Sequence, residues 1–455
     1  MGRKIAVVGM SPGGLVQLAS MVKARNAFHE EYGDDEYTLI HDPDKVNNYM
    51  LSGTNPAYFD ELVEVLNLPR RYLMKYANST DSAGYKFVGW GAGKKNFFAT
   101  YNHQLGAHFD IVALRARLLK EGAKAWGYGV SIVEQKIDGF AVEEDGCVVN
   151  GVKYDYVIDC TDKEPLYDPG SYGEPKFCLV DTALVVERPL PGDWDYTMEV
   201  AAKYGHITGM PYQDKQIWSY NFKRKDHDEN EIFADMQTFF PDEDLKSYKW
   251  DKIEYNPSTS AYLIEYGGRY IRNGAAAVQA DPLGGVHHEL TQLFANFIDE
   301  YLYRAAEQDK VQVLEEIQMD FTDALNDSYM GYMAFLYHLG AKPKTAFWKN
   351  GKELAREFLK GPAFLHPAFF PGKEWLDEVL SEKWGQKEYM QILDQNDEVE
   401  DAGGRISKMP LIVMSDYCLF FDLAKGLNAP WAKYLTGLET VHPPEKFGTI
   451  GYDYF

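Results

Sequence analysis

Near its start the chain carries Lys4 to Val8, one lysine followed by the unbroken apolar run Ile5–Val8, which predicts a short strand buried on both faces. It passes directly into Gly9-Met10-Ser11-Pro12-Gly13-Gly14 and then into Leu15–Arg25, where the spacing of apolar residues predicts an amphipathic helix. Tyr37 to His41 reads as a second, parallel strand. Further along, Phe59, Leu62, Val63 and Leu66 recur at helical spacing, Tyr85 to Trp90 reads as a strand, and His108 to Ala125 predicts a helix with Ile111, Leu114, Leu118 and Leu119 on one face. Val130 to Val133 alternates as a strand, and Asp145-Gly146 between Phe140–Glu144 and Cys147–Val149 signals a hairpin. Tyr154 to Asp159 predicts another buried strand, ending in Cys160-Thr161-Asp162. Residues 175–275 are rich in short β patterns. Asp281-Pro282-Leu283-Gly284-Gly285 then opens a long helix through Leu290, Leu293, Phe297 and Tyr301. The remainder reads as mostly helical, with an acidic, glycine-containing loop at Asn396–Arg405.

Strand, glycine-rich turn and helix form the entry unit of a dinucleotide-binding fold, in which free N–H groups and the positive end of the helix dipole meet a pyrophosphate. The spacing here is Gly9-x-Ser11-x-x-Gly14, with serine where the middle glycine of G-x-G-x-x-G normally lets the backbone approach the phosphate. Serine adds a Cβ and a hydroxyl donor. An ordinary strand–turn–helix explains the pattern about as well, and position at the start of the chain favours the nucleotide. Asp42, one residue past the second strand and followed by Asp44, is the candidate for an adenosine ribose. Asp-Pro-Asp is equally a common turn.

Length and charge narrow the class. The 455 residues suggest one large or two coupled domains. A formal net charge of −23 offers no basic stripe, so nucleic acid and anionic membrane are not expected partners. No apolar run is long enough to span a bilayer, and the immediate entry into a strand leaves no room for a signal peptide. Cys147, Cys160, Cys178 and Cys418 are scattered, which suggests reduced thiols and a cytoplasmic protein. His287-His288-Glu289 is the densest ligand-like cluster, but neighbouring residues on a helix diverge, so no metal is expected. Aromatic residues crowd the region after 320, among them Tyr329, Tyr332, Phe335, Tyr337, Phe347, Trp348, Phe364, Phe369 and Phe370. Most read as helical core, with a minority available to line a pocket for a planar substrate.

Several landmarks occur together and in order. Val7-Val8-Gly9-Met10-Ser11-Pro12-Gly13-Gly14, Leu66-Asn67-Leu68-Pro69, Lys86-Phe87-Val88-Gly89-Trp90, His108-Phe109-Asp110, Ile158-Asp159-Cys160-Thr161, Asp281-Pro282-Leu283 and Thr345-Ala346-Phe347-Trp348 each match a segment of one family. The chain resembles the flavin-dependent halogenases of the tryptophan-halogenase type, and its short length and divergent motifs resemble halogenases found in phages. The resemblance implies an α/β (α+β) fold. A Rossmann-type FAD-binding domain would occupy residues 1–300, discontinuous, with an inserted mixed β-sheet on the substrate side at about 175–275. Residues 301–455 would form a mostly helical substrate-side region. It also implies FAD, reduced by a separate flavin reductase, a halide ion, and an aromatic or heteroaromatic small molecule as substrate. Homo-oligomerisation is left open. In the family, reduced FAD, oxygen and halide yield a hypohalous acid that travels to the substrate, where a lysine and a glutamate direct electrophilic halogenation.

The resemblance assigns Gly9, Met10, Ser11, Pro12, Gly13, Gly14 and Asp42 to the nucleotide. Asp281, Pro282, Leu283, Gly284 and Gly285 go to the flavin ring, as a helix start whose N–H groups stabilise negative charge. The chain departs from the pattern at the reacting end. The position of the family's lysine falls on Ser82, and Lys86 is the candidate replacement because residues 82, 84 and 86 of one strand share a face. A structural cation is the competing reading of Lys86, and Lys75 is the other nearby lysine. The glutamate position falls on Gly284, leaving Glu289 as the candidate. A Trp-x-Trp-x-Ile-Pro motif, thought to suppress ordinary monooxygenation, falls on His206-Ile207-Thr208-Gly209-Met210-Pro211, where only the proline is kept. Three functions therefore stay open: a halogenase, a flavin monooxygenase that hydroxylates, and a non-catalytic flavin-binding or assembly protein.

Overall fold

The computed structural model describes residues 2–358 apart from 47–52, 55–61, 66–68, 91–95, 101–104, 122–123, 125, 190–193, 266, 286, 306–308, 340 and 342. Its first layer is a five-stranded, wholly parallel sheet in the order Tyr270–Arg272, Tyr156–Asp159, Lys4–Val8, Glu36–His41, Val130–Glu134. Parallel pairing buries both faces, which explains the unbroken apolar runs of Ile5–Val8 and Tyr156–Ile158. The helix Pro12–Ala27 follows the first strand. Its residues from Pro12 to Val22 are all buried, because it lies between the sheet and the helix His287–Asp299. It is therefore less amphipathic than its sequence spacing suggested.

The second layer is a seven-stranded mixed sheet in the order Lys249–Glu254, Thr182–Arg188, Gln216–Phe222, Gly205–Pro211, Thr197–Ala201, Gly84–Val88, Asn96–Thr100. Gly84–Val88 and Thr197–Ala201 run parallel, and the other pairs are antiparallel. Residues 175–275 supply five of these strands, and two come from before residue 101. One face carries Leu184, Val186, Ile207, Trp218 and Tyr220, packed against Ile232, Phe233 and Met236 of the helix Glu229–Gln237. The opposite face joins the main core around Tyr85 and Phe87. The hairpin at Asp145-Gly146 forms as expected, pairing Phe140–Glu143 with Gly146–Val149.

Beyond residue 300 the described chain is helical: Lys310–Asp323, a π-helical segment Ala324–Met330, Gly331–Leu339 and Ala346–Phe358. Tyr329, Tyr332, Phe335, Tyr337 and Trp348 are core residues there, and the Trp348 indole N–H donates to the Ala202 carbonyl at 2.6 Å. Phe364, Phe369, Phe370, Cys418 and the Asn396–Arg405 loop lie outside the described residues. Among the described residues no helix is long and apolar enough to cross a membrane.

Candidate functional site

The glycine turn is built by close approach. Gly9 has φ +106°, and a Cβ there would sit 2.4 Å from the Cys160 carbonyl oxygen. A Cβ on Gly14 would sit 1.8 Å from the Gly9 carbonyl oxygen, so only glycine lets the helix start this close to the strand. Ser11 is the N-cap of the helix and Pro12 its first residue. The Ser11 hydroxyl accepts from the Gly14 N–H at 3.1 Å and donates to the Cys160 carbonyl at 2.7 Å. Its hydrogen-bonding capacity is spent on the fold, so it is not the free donor toward a phosphate that the sequence offered. Gly13 faces Gly274 and Thr291: a Cβ would lie 3.2 Å and 3.4 Å from them. The starts of the helices Pro12–Ala27 and His287–Asp299 thus lie side by side. Met10 presents its carbonyl to Nε of Arg115 at 2.9 Å.

Arg115 was not among the residues singled out from the sequence. It sits on the inner face of the helix Ile111–Glu121, one turn after Ile111, and its guanidinium is buried. Burial lowers its pKa, with Asp162 and Asp110 opposing that shift. A buried arginine on an otherwise apolar helix face was the legible signal. Asp42 is placed at the end of the Glu36–His41 strand and is buried. Its two oxygens accept main-chain N–H bonds from Asp44 at 2.9 Å and Ile137 at 2.8 Å. It fastens its own turn to the loop at Ile137, which is the turn reading of Asp-Pro-Asp.

The residues around the glycine turn fit a dinucleotide pyrophosphate. The Gly13 N–H has no partner among the described residues, it lies on the first turn of a helix, and a cationic side chain stands behind the loop. The expected amide cradle at Asp281–Gly285 fits less well. The helix begins at His287, and Gly284 and Gly285 adopt φ +75° and +67° in a turn before it. Leu283 N–H donates to Asp281 Oδ1 at 3.1 Å, Gly284 N–H to Glu199 Oε1 at 3.3 Å, and Gly285 N–H to the Pro282 carbonyl at 3.2 Å. These three amides hold the turn together and do not point at a ligand. Pro282 is exposed and Leu283 is buried. The turn is also tightly enclosed, since a Cβ on Gly284 would meet Tyr332 at 2.8 Å and one on Gly285 would meet Tyr85 Oη at 2.6 Å.

Beneath this turn lies a fully buried polar cluster. Nε2 of His206 is 3.0 Å from Asp281 Oδ1, and Tyr337 donates to Asp281 Oδ2 at 2.7 Å. Thr208 donates to Glu199 Oε2 at 2.9 Å, and the Tyr329 hydroxyl donates to the Asp281 carbonyl at 3.1 Å. Register explains the grouping: Glu199 lies directly across from Thr208, and His206 precedes Thr208 by two residues on the same sheet face. Burial alone would lower the His206 pKa, but its hydrogen bond and charge interaction with Asp281, reinforced by Glu199, raise it to about 9. Burial pushes the Glu199 carboxyl up, against the pull of His206, Thr208 and the Gly284 N–H. Sequence reasoning reached His206 only as a mismatch to a tryptophan motif.

The structure does not bring Lys86 to this cluster. Thr80–Ser82 pairs with Gly106–His108 in a small separate sheet, whereas Gly84–Val88 belongs to the mixed sheet. Gly84, at φ +133°, breaks the extended run between them, so residues 82 and 86 share no common strand face. Within Gly84–Val88, Tyr85 and Phe87 turn toward the Asp281 side, and Lys86 turns to the opposite face, in register with Met198. Its half-buried side chain donates to Tyr196 Oη at 3.2 Å and lies 5.2 Å and 5.5 Å from the ring centres of Tyr196 and Phe98. Lys75 is exposed on the helix Arg70–Tyr76. Glu289 is in the first turn of the His287–Asp299 helix, and its side chain lies outside the described residues.

Comparison with known proteins places this architecture. No protein-family model and no curated protein matches the chain. Solved structures do. A tryptophan 6-halogenase from Streptomyces toxytricini is 15% identical with a TM-score of 0.65, over 92% of this chain and 99% of that one. A tryptophan halogenase from Shewanella frigidimarina is 12% identical with a TM-score of 0.68, over 99% and 98%. A flavin-dependent halogenase from Brevundimonas sp. is 14% identical with a TM-score of 0.64, over 97% and 98%. Likeness at identity this low shows the fold alone: the chain has the fold of the flavin-dependent halogenases.

Proposed function

We propose that the protein is a FAD-dependent halogenase acting on an aromatic or heteroaromatic small molecule. The observation that carries this reading is the pairing, in one chain, of a nucleotide-type glycine turn on a parallel sheet with the mixed-sheet and helical arrangement of the halogenases. Gly9, Gly13 and Gly14 with the adjoining helix start would hold the FAD pyrophosphate, Met10 and Arg115 would back the loop, and the Asp281–Gly285 turn would border the flavin ring. When bound and reduced, the flavin supplies the electrons that activate oxygen for oxidation of halide. The protein's own part is to bind and orient the cofactor, to exclude water with the buried aromatic residues around Tyr332 and Tyr337, and to present the substrate. A separate flavin reductase would supply reduced FAD, because one nucleotide fingerprint is visible in the sequence. Domain roles follow the same reading: FAD on residues 1–300 and substrate contacts from the mixed sheet and the helical region.

A second reading is favoured by one observation. Lys86 turns away from the Asp281 turn, and the positions of the family's tryptophan pair hold His206 and Thr208. A flavin monooxygenase that hydroxylates its substrate needs neither the lysine nor the tryptophans. One experiment separates the readings. The protein is incubated with FAD, a flavin reductase, NADH, oxygen and chloride, bromide or iodide over a panel of aromatic compounds, and products are read by mass spectrometry. Halogen-labelled products support the halogenase. Products heavier by one oxygen with every halide support the monooxygenase. FAD binding without either product leaves a non-catalytic flavoprotein.

A further inference from the structure

We propose that His206 is a positioning residue, a buried cationic clamp that sets the shape of the Asp281–Gly285 turn and through it the binding of flavin. The flavin part of this inference rests on the functional reading above, and the clamp itself does not. The geometry is specific. Asp281 Oδ1 takes both His206 Nε2, at 3.0 Å, and the Leu283 N–H, at 3.1 Å. Glu199 Oε2 lies 3.8 Å from His206 Nδ1, while its Oε1 takes the Gly284 N–H at 3.3 Å. Two consecutive amides of the turn are therefore held by two different carboxylates, and one imidazole stands between those carboxylates. His206, Glu199 and Asp281 are all at 0% exposure. Two buried carboxylates without a cation repel each other and lack solvent to screen them, so the turn relies on the positive charge between them.

Of the titratable groups that face His206, the Glu199 carboxyl is itself pushed up by burial, and the tyrosines and the nearby thiol stay neutral further into the alkaline range. Asn221, in register beside His206, does not titrate. Tyr329 and Tyr337 from the helical region and Tyr255 from the neighbouring loop are all pushed up by burial, and Cys178 is pushed up to about 12. The Nδ1 atom of His206 is buried with no hydrogen-bond partner among the described residues, which places the labile proton on the side of Glu199. Losing it leaves Asp281 hydrogen-bonded but strips Glu199 of its counterion. The expected consequence is a looser Gly284 amide first, and a looser turn with it.

The test follows hydrogen exchange across residues 281–290 and FAD affinity by fluorescence titration, at pH 7 and pH 10, for the wild type, His206→Gln and the double variant His206→Gln/Glu199→Gln. Exchange is corrected for its intrinsic pH dependence, and the hairpin Phe140–Val149 serves as the remote reference. At pH 7 the single variant should weaken FAD binding and speed exchange at the turn by about tenfold, the equivalent of one pKa unit of lost interaction. The double variant, with charge rebalanced, should recover most of both. Raising the pH of the wild type to 10 should mimic the single variant at the turn and leave the hairpin unchanged. If the single variant does not fold, this wild-type pH comparison decides. Unchanged exchange at the turn, in the variant or in the wild type at pH 10, overturns the clamp. If the wild type binds no FAD, the flavin reading fails while the exchange result still judges the clamp.

Discussion

The glycine turn and the polar cluster both depart from ordinary packing, and they do so by opposite means. The turn is made by removing side chains: Gly9 and Gly14 let backbone touch backbone, and the one hydroxyl present, on Ser11, is folded inward. The cluster is made by inserting charge into a sheet face and satisfying it from several directions, with Glu199, His206, Thr208, Asp281 and Tyr337 drawn from three parts of the chain. The first kind of site is dictated by sterics and cannot be tuned. The second is electrostatic and responds to protons. A dinucleotide site that must exist before anything else happens suits the first device, and a turn whose shape is to be adjusted suits the second.

The comparison breaks hardest at Gly14. A methyl group there would lie 1.8 Å from the Gly9 carbonyl oxygen, which is backbone and has nowhere to move. Gly14→Ala should cost more than about 4 kcal/mol and leave little folded protein, as urea denaturation would show. A variant that folds with wild-type stability would mean that the helix start is not held against the strand.

Next in size is the charge pair. Asp281→Asn keeps the shape of the side chain and removes the counterion of a buried imidazolium. Breaking a buried pair in this way should cost about 3 kcal/mol at pH 7. The pH dependence gives the sign. The folded-state pKa of His206 is raised to about 9. The stability it contributes is therefore full below about pH 6.5, its unfolded value, and is lost as pH rises through about 9. Denaturation midpoints of the wild type should fall across that window, and those of Asp281→Asn should be flatter. Equal slopes in both proteins would remove His206 as the titrating group.

These two regions were not equally legible. The strand–turn–helix could be read from the single stretch Lys4–Arg25, because its constraints are local: apolar run, glycines, cap, helix. The parallel sheet followed, since Tyr37–His41 and Tyr154–Asp159 carry the same local mark. The cluster could not be read this way. Glu199 and Thr208 meet only because two strands align in one register, and Asp281 reaches them from seventy-five residues beyond His206. The step from Ser82 to Lys86 met a related limit. Counting along one strand presumed that Ser82 and Lys86 lie on it, and Gly84 divides that segment between two sheets. The start of the helix after Asp281 was misplaced because Gly284 and Gly285 read as part of a helix entry, when their left-handed conformation builds a separate turn.

A smaller effect sharpens the contrast within the turn itself. Ser11→Ala removes an N-cap and a hydrogen bond to Cys160, and should cost about 1 kcal/mol of stability. FAD affinity should stay within a few-fold of wild type, because the hydroxyl faces Cys160 and not the ligand side of the loop. A large loss of affinity with stability unchanged would return Ser11 to the role of phosphate donor.

The smallest expected effect belongs to Lys86, and it tests whether the two faces of the mixed sheet are functionally separate. The ammonium group lies over the rings of Tyr196 and Phe98 on the face shared with Met198, and the cluster lies on the other. A cation–π contact at a half-exposed position contributes on the order of 0.5–1 kcal/mol. Lys86→Met keeps the apolar stem, so stability should drop by less than that. FAD binding and product formation in the reductase-coupled assay should remain within a few-fold of wild type, since no group on the Asp281 side loses a partner. A general acid or hydrogen-bond donor at a reacting centre is commonly worth about 10²- to 10⁴-fold. A loss of that size in Lys86→Met, with FAD affinity and melting temperature unchanged, would place the reacting atoms on the Tyr196 face. A halogenating species formed at the flavin would then have to pass from one side of the mixed sheet to the other.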